Sequence, residues 1–281
     1  MVIESIPDGS GALTHVILIR LELWATDAHS SEHEVDLGQS MAIKRFALEA
    51  MGLMNESPTK DELLPKSTSM SLEQSLGLSL QRVVCKNEGL KLYSYIYLAL
   101  SEPLVLEWDR WQSLKMKVST LWERSMGKSS DAAMDEAQHL GLRTPEKMPA
   151  TATATTTTTT TTTINLSRLS TISHLPGPEP SLQGQVHYVV ETDVESGWWD
   201  EITQWYEEEH LPGLASVPGC VVAMRYLNLD EGPRSLACYD LVSEAVLTSK
   251  EWLAVRATDW SSKARPHFVN TKRDVYPQVL I

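Results

Sequence analysis

The stretch from Gln185 to Ile281 constrains the fold most, because its apolar periods arrive in an order that few architectures accept. "QVHYVVET" alternates as a strand does. "GWWDEITQWYEEEH" then places Trp199, Ile202, Trp205 or Tyr206, and His210 at helical spacing. Ser196 is the expected N-cap, Asp200 and Glu201 suit a first helical turn, and Pro212-Gly213 end the helix. "CVVAMRYLNL" and "SLACYDL" read as a hairpin joined at "DEGP". "SEAVLTSKEWLAVRA" is a second helix with Ser243 as its expected cap. "RDVYPQVLI" is a last strand that Pro277 confines to an edge or a bulge.

The order is β-α-β-β-α-β. With right-handed crossovers it predicts an α+β, ferredoxin-like sandwich, two helices covering one face of a four-stranded antiparallel sheet. The opposite face keeps apolar residues and needs a partner or a ligand. The first half of the chain reads as a degenerate copy. "THVILIRLEL" parallels "QVHYVVETDV", and "YSYIYLALSEPLVLEWDRWQSL" parallels "RSLACYDLVSEAVLTSKEWLAV". In that alignment Tyr97 falls on Tyr239, and Trp111 falls near Trp252 after one extra residue. Residues 27–80 hold an amphipathic helix, "SMAIKRFALEAMGLM", but nothing like "WYEEEHLP". Two such units predict sheet-on-sheet pairing about 10 Å apart, as an intramolecular pseudo-dimer or a homodimer.

Between the copies lies "TATATTTTTTTTTINLSRLSTISHLPGPEPSLQG". Its polar threonine run and following prolines predict a linker over 144–183 without packed structure. The expected division is therefore 1–143 for the degenerate half, 144–183 for the linker and 184–281 for the second unit.

A formal net charge of −13 leaves no basic stripe for DNA or RNA and disfavours anionic membrane surfaces. No export signal is read at the start and no apolar run is long enough to span a bilayer. Cys85, Cys220 and Cys238 show no metal spacing and cannot all pair, which points to a reducing, cytoplasmic setting. Nine Trp against two Phe require either a core or a ligand to bury them.

"WYEEEHLPGLASVPGCVVAMRY", followed by "GPRSLACYDL" and "LTSKEW", resembles the EthD-like group of dimeric α/β-barrel proteins, its fungal members above all. The resemblance covers roughly 185–281. It implies two ferredoxin-like units closing a barrel around a ligand cavity, and small-molecule chemistry of the decarboxylase or cyclase kind. It also implies a lyase or isomerase of secondary metabolism, working by proton transfer without cofactor on an aromatic or polyketide-like substrate. A non-catalytic binding or scaffold protein of the same fold is the alternative.

His210 aligns with Ile202 and Tyr206, so it lies on the buried edge, with Glu209 beside it to raise its basicity. It is either a general acid or base, or a helix-end residue satisfying a carbonyl. Arg225 either holds an oxyanion or pairs with a helix acid such as Glu209. Trp205, Tyr206, Tyr226, Tyr239 and Trp252 are the expected substrate-contacting aromatics. "HSSEH", His29 to His33, has the spacing of an inverted zincin, but its flanks lack a helical period, so a loop is expected and no metal site. "GKSS" lacks the earlier glycine of a phosphate loop, Trp122 standing there, and no glycine-rich dinucleotide turn follows a strand.

Overall fold

The computed structural model describes residues 14–24, 34–56, 76–88, 91–127 and 161–279. The first unit runs β1 (Thr14–Trp24), α1 (Glu34–Asn55), β2 (Leu78–Glu88), β3 (Lys91–Leu104), α2 (Trp108–Gly127) and β4 (Thr161–Pro176). The second runs β5 (Val186–Val194), α3 (Trp199–Trp205), a π-helical turn (Tyr206–His210), α4 (Leu211–Ala215), β6 (Cys220–Asn228) and β7 (Ser235–Leu241). It continues through a 3₁₀ turn (Glu244–Thr248), α5 (Lys250–Arg256), α6 (Asp259–Ala264), β8 (Phe268–Tyr276) and β9 (Gln278–Val279).

One antiparallel sheet joins them in the order β8-β5-β7-β6-β4-β1-β3-β2-β9. Each half, β4-β1-β3-β2 and β8-β5-β7-β6, is a ferredoxin-like sheet. β4 pairs with β1 along its first part and with β6 along its last, so it belongs to both halves. β8 runs directly into β9, which pairs with β2, so the two ends of the sheet are one chain run and the sheet curls closed. Pro277 sits at the break between them, where a missing N–H costs no ladder bond. This is the dimeric α/β-barrel architecture within a single chain.

The expectation of a linker over 144–183 is overturned for Thr161–Pro176, which is a sixteen-residue strand. Its backbone finds ladders in β1 along the first part and in β6 along the last, while Thr163, Asn165 and His174 stay exposed. Leu166 packs under the helices of the first half and Leu169 packs into the barrel. The first unit is therefore complete in topology, and its degeneracy lies in what the helices cover. Most of the threonine tract and the stretch His29 to His33 fall outside the described residues.

Strand alternation separates two environments. Outward-facing residues pack under the helices in two cores. The first contains Phe46, Trp111 and Trp122, and the second contains Trp205, Tyr206 and Trp252. Inward-facing residues of both halves meet in a third cluster, from Val16, Leu18 and Tyr97 to Val189, Met224 and Tyr226. The halves thus pair sheet to sheet, as the open faces require. Tyr97 faces inward while Tyr239 faces the helices, so the sequence alignment of those two is one residue out of register. Aligning Leu98 with Tyr239 instead restores the parity and brings Trp111 onto Trp252 with no extra residue.

The barrel interior is filled, and its polar groups bridge the copies. Arg20 donates to Glu191 at 2.6 and 2.8 Å and to Ser167 at 2.7 Å. Arg82 pairs with Asp240, and Lys86 with Asp274. Asp240 lies 2.7 Å from His187 Nδ1, whose Nε2 lies 2.9 Å from the Tyr97 hydroxyl. In all three of these ion pairs the first copy supplies the cation and the second the anion. At the rim Asp230, in the "DEGP" turn, accepts from Arg168 and from Trp111 Nε1.

Candidate functional site

The site is built where the first helix of the second unit ends. Residues Tyr206–His210 form a π turn, with Leu211 N–H donating to the Tyr206 carbonyl. Bonding to the fifth residue back, rather than the fourth, widens the turn and brings His210 over Trp205, with ring centroids 4.0 Å apart and planes 21° from parallel. Tyr206 then meets His210 edge-on at 5.5 Å. The extra residue in the turn is the local irregularity often found at functional sites. Pro212 is tolerated here because it lies in the first turn of α4. The turn Val217-Pro218-Gly219-Cys220 then reverses the chain into β6. Cys220 N–H donates to the Val217 carbonyl at 2.9 Å. Gly219 takes φ 86°, which position i+2 of a type II turn demands.

The helix starts differently from expectation. Trp198, not Ser196, occupies the N-cap and makes no side-chain cap. Ser243 precedes only the 3₁₀ turn; Ser249 caps α5 by accepting from Trp252 N–H, and Thr258 caps α6.

A small cleft of about 30 Å³, open to solvent on one side, lies between the outer face of the second sheet and these helices. Tyr188, Trp205, Tyr206, Tyr239, Trp252 and Phe268 give it aromatic walls, and His210 is set among them. Arg256, Arg265 and Arg273 complete the lining. Tyr239 meets Trp252 edge-on at 5.2 Å and stacks with Tyr188 at 6.0 Å. This cleft lies on the helix-covered side of one sheet and not at the interface between the two halves, where a cavity was expected. The interface itself is closed by the tyrosines and ion pairs described above.

His210 is 7% exposed, and its Nδ1 has no hydrogen-bond partner among the described residues. Burial, then the charges of Arg256 and Arg265, push its pKa down to about 3, so the imidazole is neutral. The expected help from Glu209 is absent. Glu209 accepts from Trp205 Nε1 at 3.2 Å and from the Thr258 hydroxyl at 2.6 Å, tying the π turn to the cap of α6. Glu207 and Glu208 are exposed. Burial also pushes the Tyr206 hydroxyl up to about 12 and the Tyr239 hydroxyl well up, so both phenols stay protonated.

Of the residues singled out by sequence, Trp205, Tyr206, His210, Tyr239 and Trp252 come together in the cleft. Tyr226 does not. It faces the barrel interior and donates to the Met224 sulfur at 3.2 Å. Arg225 is fully buried and does not line the cleft; its guanidinium lies 4.4 Å from the Tyr206 ring centroid. It reaches only the Thr203 hydroxyl, at 3.4 Å, and forms no ion pair with Glu209. Burial lowers its pKa. The three cleft arginines were missed by sequence reasoning, since 256, 265 and 273 share no helical or strand period. In the matching space of the first unit Phe46 meets Trp122 edge-on at 4.7 Å.

No known family description matches the sequence, and no curated protein matches it. Among solved structures, a candidate monooxygenase from Fusobacterium nucleatum is 10% identical with a TM-score of 0.47, over 95% of this chain and 94% of that one. An anthrone oxidase-like protein is 15% identical, TM-score 0.43, over 94% and 92%. A mutant chlorite dismutase from Candidatus Nitrospira defluvii is 11% identical, TM-score 0.43, over 94% and 91%.

Proposed function

We propose that this chain is a small-molecule enzyme of the EthD-like, fungal type, whose single site is the aromatic cleft of the second unit. One observation carries the reading. His210 is buried in an aromatic pocket with a ring nitrogen that has no partner among the described residues, whereas His187, the other buried histidine among them, uses both of its own. A buried nitrogen without a partner costs about 1–3 kcal/mol, and a ligand group would recover it. Trp205 fixes the ring plane by stacking, Tyr206 blocks its edge, and Glu209 holds the supporting turn. A neutral imidazole so placed accepts a proton from, or donates one to, a bound ring system, which serves decarboxylation, cyclisation or isomerisation of an aromatic or polyketide-like metabolite. Arg225 is then a positioning residue against Tyr206.

The non-catalytic alternative has one observation in its favour. With a pKa near 3 and no carboxylate partner, His210 is a weak base. Ligand turnover separates the two readings. Extracts of a strain lacking the protein, compared with its parent, identify an accumulated precursor, which is then offered to the purified protein. The enzyme reading expects turnover that falls roughly 10²–10⁴-fold in His210→Ala and in His210→Gln, since Gln keeps hydrogen bonding but carries no proton near neutral pH. Saturable precursor binding without conversion, or full activity in His210→Gln, rejects the proton-transfer role.

A further inference from the structure

We propose that the cleft contains a built anion subsite, and that its ligand is an aromatic carboxylate held by Arg256 and Arg265, with Arg273 at the mouth. This deepens the preceding reading and rests on it. Three guanidinium groups converge on one small cleft whose lining contains no aspartate or glutamate. The chain as a whole carries 37 acidic against 24 basic residues, so this wall reverses the prevailing sign. Among the described residues none of the three enters an ion pair. Arg265 Nη1 donates to the Arg256 main-chain carbonyl at 3.3 Å, which sets the Arg265 guanidinium beside the Arg256 backbone.

Helix dipoles explain part of the pattern, because Arg256 ends α5 and Arg265 follows α6. They do not explain why both side chains reach the same cleft, nor why Arg273 joins them from a strand. Burial first, and the neighbouring arginines second, disfavour added positive charge here: Arg256 and Arg265 at His210, and Arg256 and Arg273 at Arg265. A carboxylate placed there accepts from the planar guanidinium forks, cancels the mutual repulsion, and leaves its ring against Trp205, Tyr239 and Trp252. His210, more than nine-tenths buried, lines the same space, and its Nδ1 has no hydrogen-bond partner among the described residues.

Benzoate and its neutral counterpart benzamide are the probes, with affinities read by isothermal titration on the full chain. Benzoate binds about tenfold or more tightly than benzamide, and its binding weakens as salt rises. Arg256→Gln and Arg265→Gln each weaken benzoate about tenfold and leave benzamide unchanged, while Arg256→Lys keeps part of the effect. Arg273→Gln, at an exposed position that does not threaten folding, weakens benzoate by a smaller factor. Circular dichroism of each variant confirms the fold. Equal binding of the two probes overturns the proposal. So does an unchanged benzoate affinity in the arginine variants, or no saturable benzoate binding at about millimolar concentration. Displacement of benzoate by an equal concentration of inorganic phosphate removes the aromatic half of the claim. The parent reading fails separately. Arginine-dependent benzoate binding with no turnover of the precursor keeps the subsite and rejects the enzyme. Benzamide binding that depends on His210 but not on the arginines keeps the pocket and rejects the anion.

Discussion

Removing one partner of the Arg20–Glu191 pair tests whether the two copies are held by buried charge across the barrel. The side chains are 17% and 5% exposed, and Glu191 Oε1 receives both Nε and Nη2 of Arg20. Glu191→Leu leaves a guanidinium inside the sheet, facing the Tyr95 ring at 5.5 Å and only Ser167 as an acceptor. Such an orphaned charge costs about 3–5 kcal/mol, and Arg20→Met costs a similar amount by stranding the carboxylate. The double variant strands neither charge, so it loses far less than the sum. Urea unfolding followed by tryptophan fluorescence and circular dichroism is the assay. With a slope near about 3 kcal/mol per M, each single variant lowers the midpoint by about 1–2 M. Because β4 and the β8–β9 run are shared between the halves, one transition is expected. Losses that add within about 0.5 kcal/mol would mean that the pair contributes nothing as a pair. Two separate transitions would refute the single closed sheet.

Other perturbations reach different parts of the molecule. Glu207→Gln and Glu208→Gln change stability by less than about 1 kcal/mol in the same urea assay, since both are solvated. Glu209→Ala strands Trp205 Nε1 and the Thr258 hydroxyl, costs about 1–3 kcal/mol, and alters the near-ultraviolet signal of Trp205. Gly177→Ala puts a methyl 1.8 Å from the Cys220 carbonyl oxygen, a backbone atom that cannot yield, and costs about 2 kcal/mol or more by prising β4 from β6. The pH profile of stability isolates His210. Its folded pKa, about 3, lies below the ordinary 6.5, so the unfolded chain binds the proton first. Its contribution is present above the unfolded value and is lost, at about 1.4 kcal/mol per pH unit, as pH falls from about 6.5 towards 3. His210→Gln shows a correspondingly flatter profile across that window, and parallel profiles would contradict the neutral, buried imidazole.

The second unit was legible because each of its elements states its own period. The strands alternate, the hairpin has its turn residues, and Val217-Pro218-Gly219 needs only proline's fixed φ and glycine's freedom to reverse the chain. β4 was hidden because its partners lie far away in sequence. "TTTINLSRLSTISHLP" has no apolar face of its own, and it becomes a strand because β1 and β6 offer it ladders on both sides. A repeat carried to its end would have found it, since a first copy with three strands leaves a ferredoxin-like sheet one short, and only the stretch before Val186 remains to supply the fourth. The aromatic wall was readable, as five of the seven expected site residues meet there. The π turn was not, because inserting one residue into a helical turn leaves no mark on hydrophobic spacing; helical arithmetic placed His210 with Tyr206, whereas it stacks on Trp205. Tyr226 and Tyr239 illustrate the same limit in strands. Both sit in apolar runs, and only the parity of β6 and β7 decides which one meets the barrel and which the cleft.

The asymmetry between the copies follows from these placements. A pair of identical first units would set Arg20 against Arg20, since Glu191 is its counterpart in the second copy, and would leave Arg82 and Lys86 without Asp240 and Asp274. Here the first copy presents three cations and the second Glu191, Asp240 and Asp274, so neither half can close on a second copy of itself without stranding charge. The barrel is thereby committed to pairing unlike halves. Once that pairing is fixed, only one helix-covered face has to remain open. The first unit has filled its own with Phe46, Trp111 and Trp122, and lends rigidity where the second keeps a cleft. The connection runs through the same strands. Glu191 and Asp240 face the barrel, while their neighbours Val190 and Tyr239 line the cleft on the other side. Charge pairing inside the barrel therefore holds β5 and β7 in the register that presents Tyr239 and Val190 to the ligand. Loosening Arg82–Asp240 should weaken ligand affinity in the cleft as well as stability, although no atom of that pair touches the ligand space.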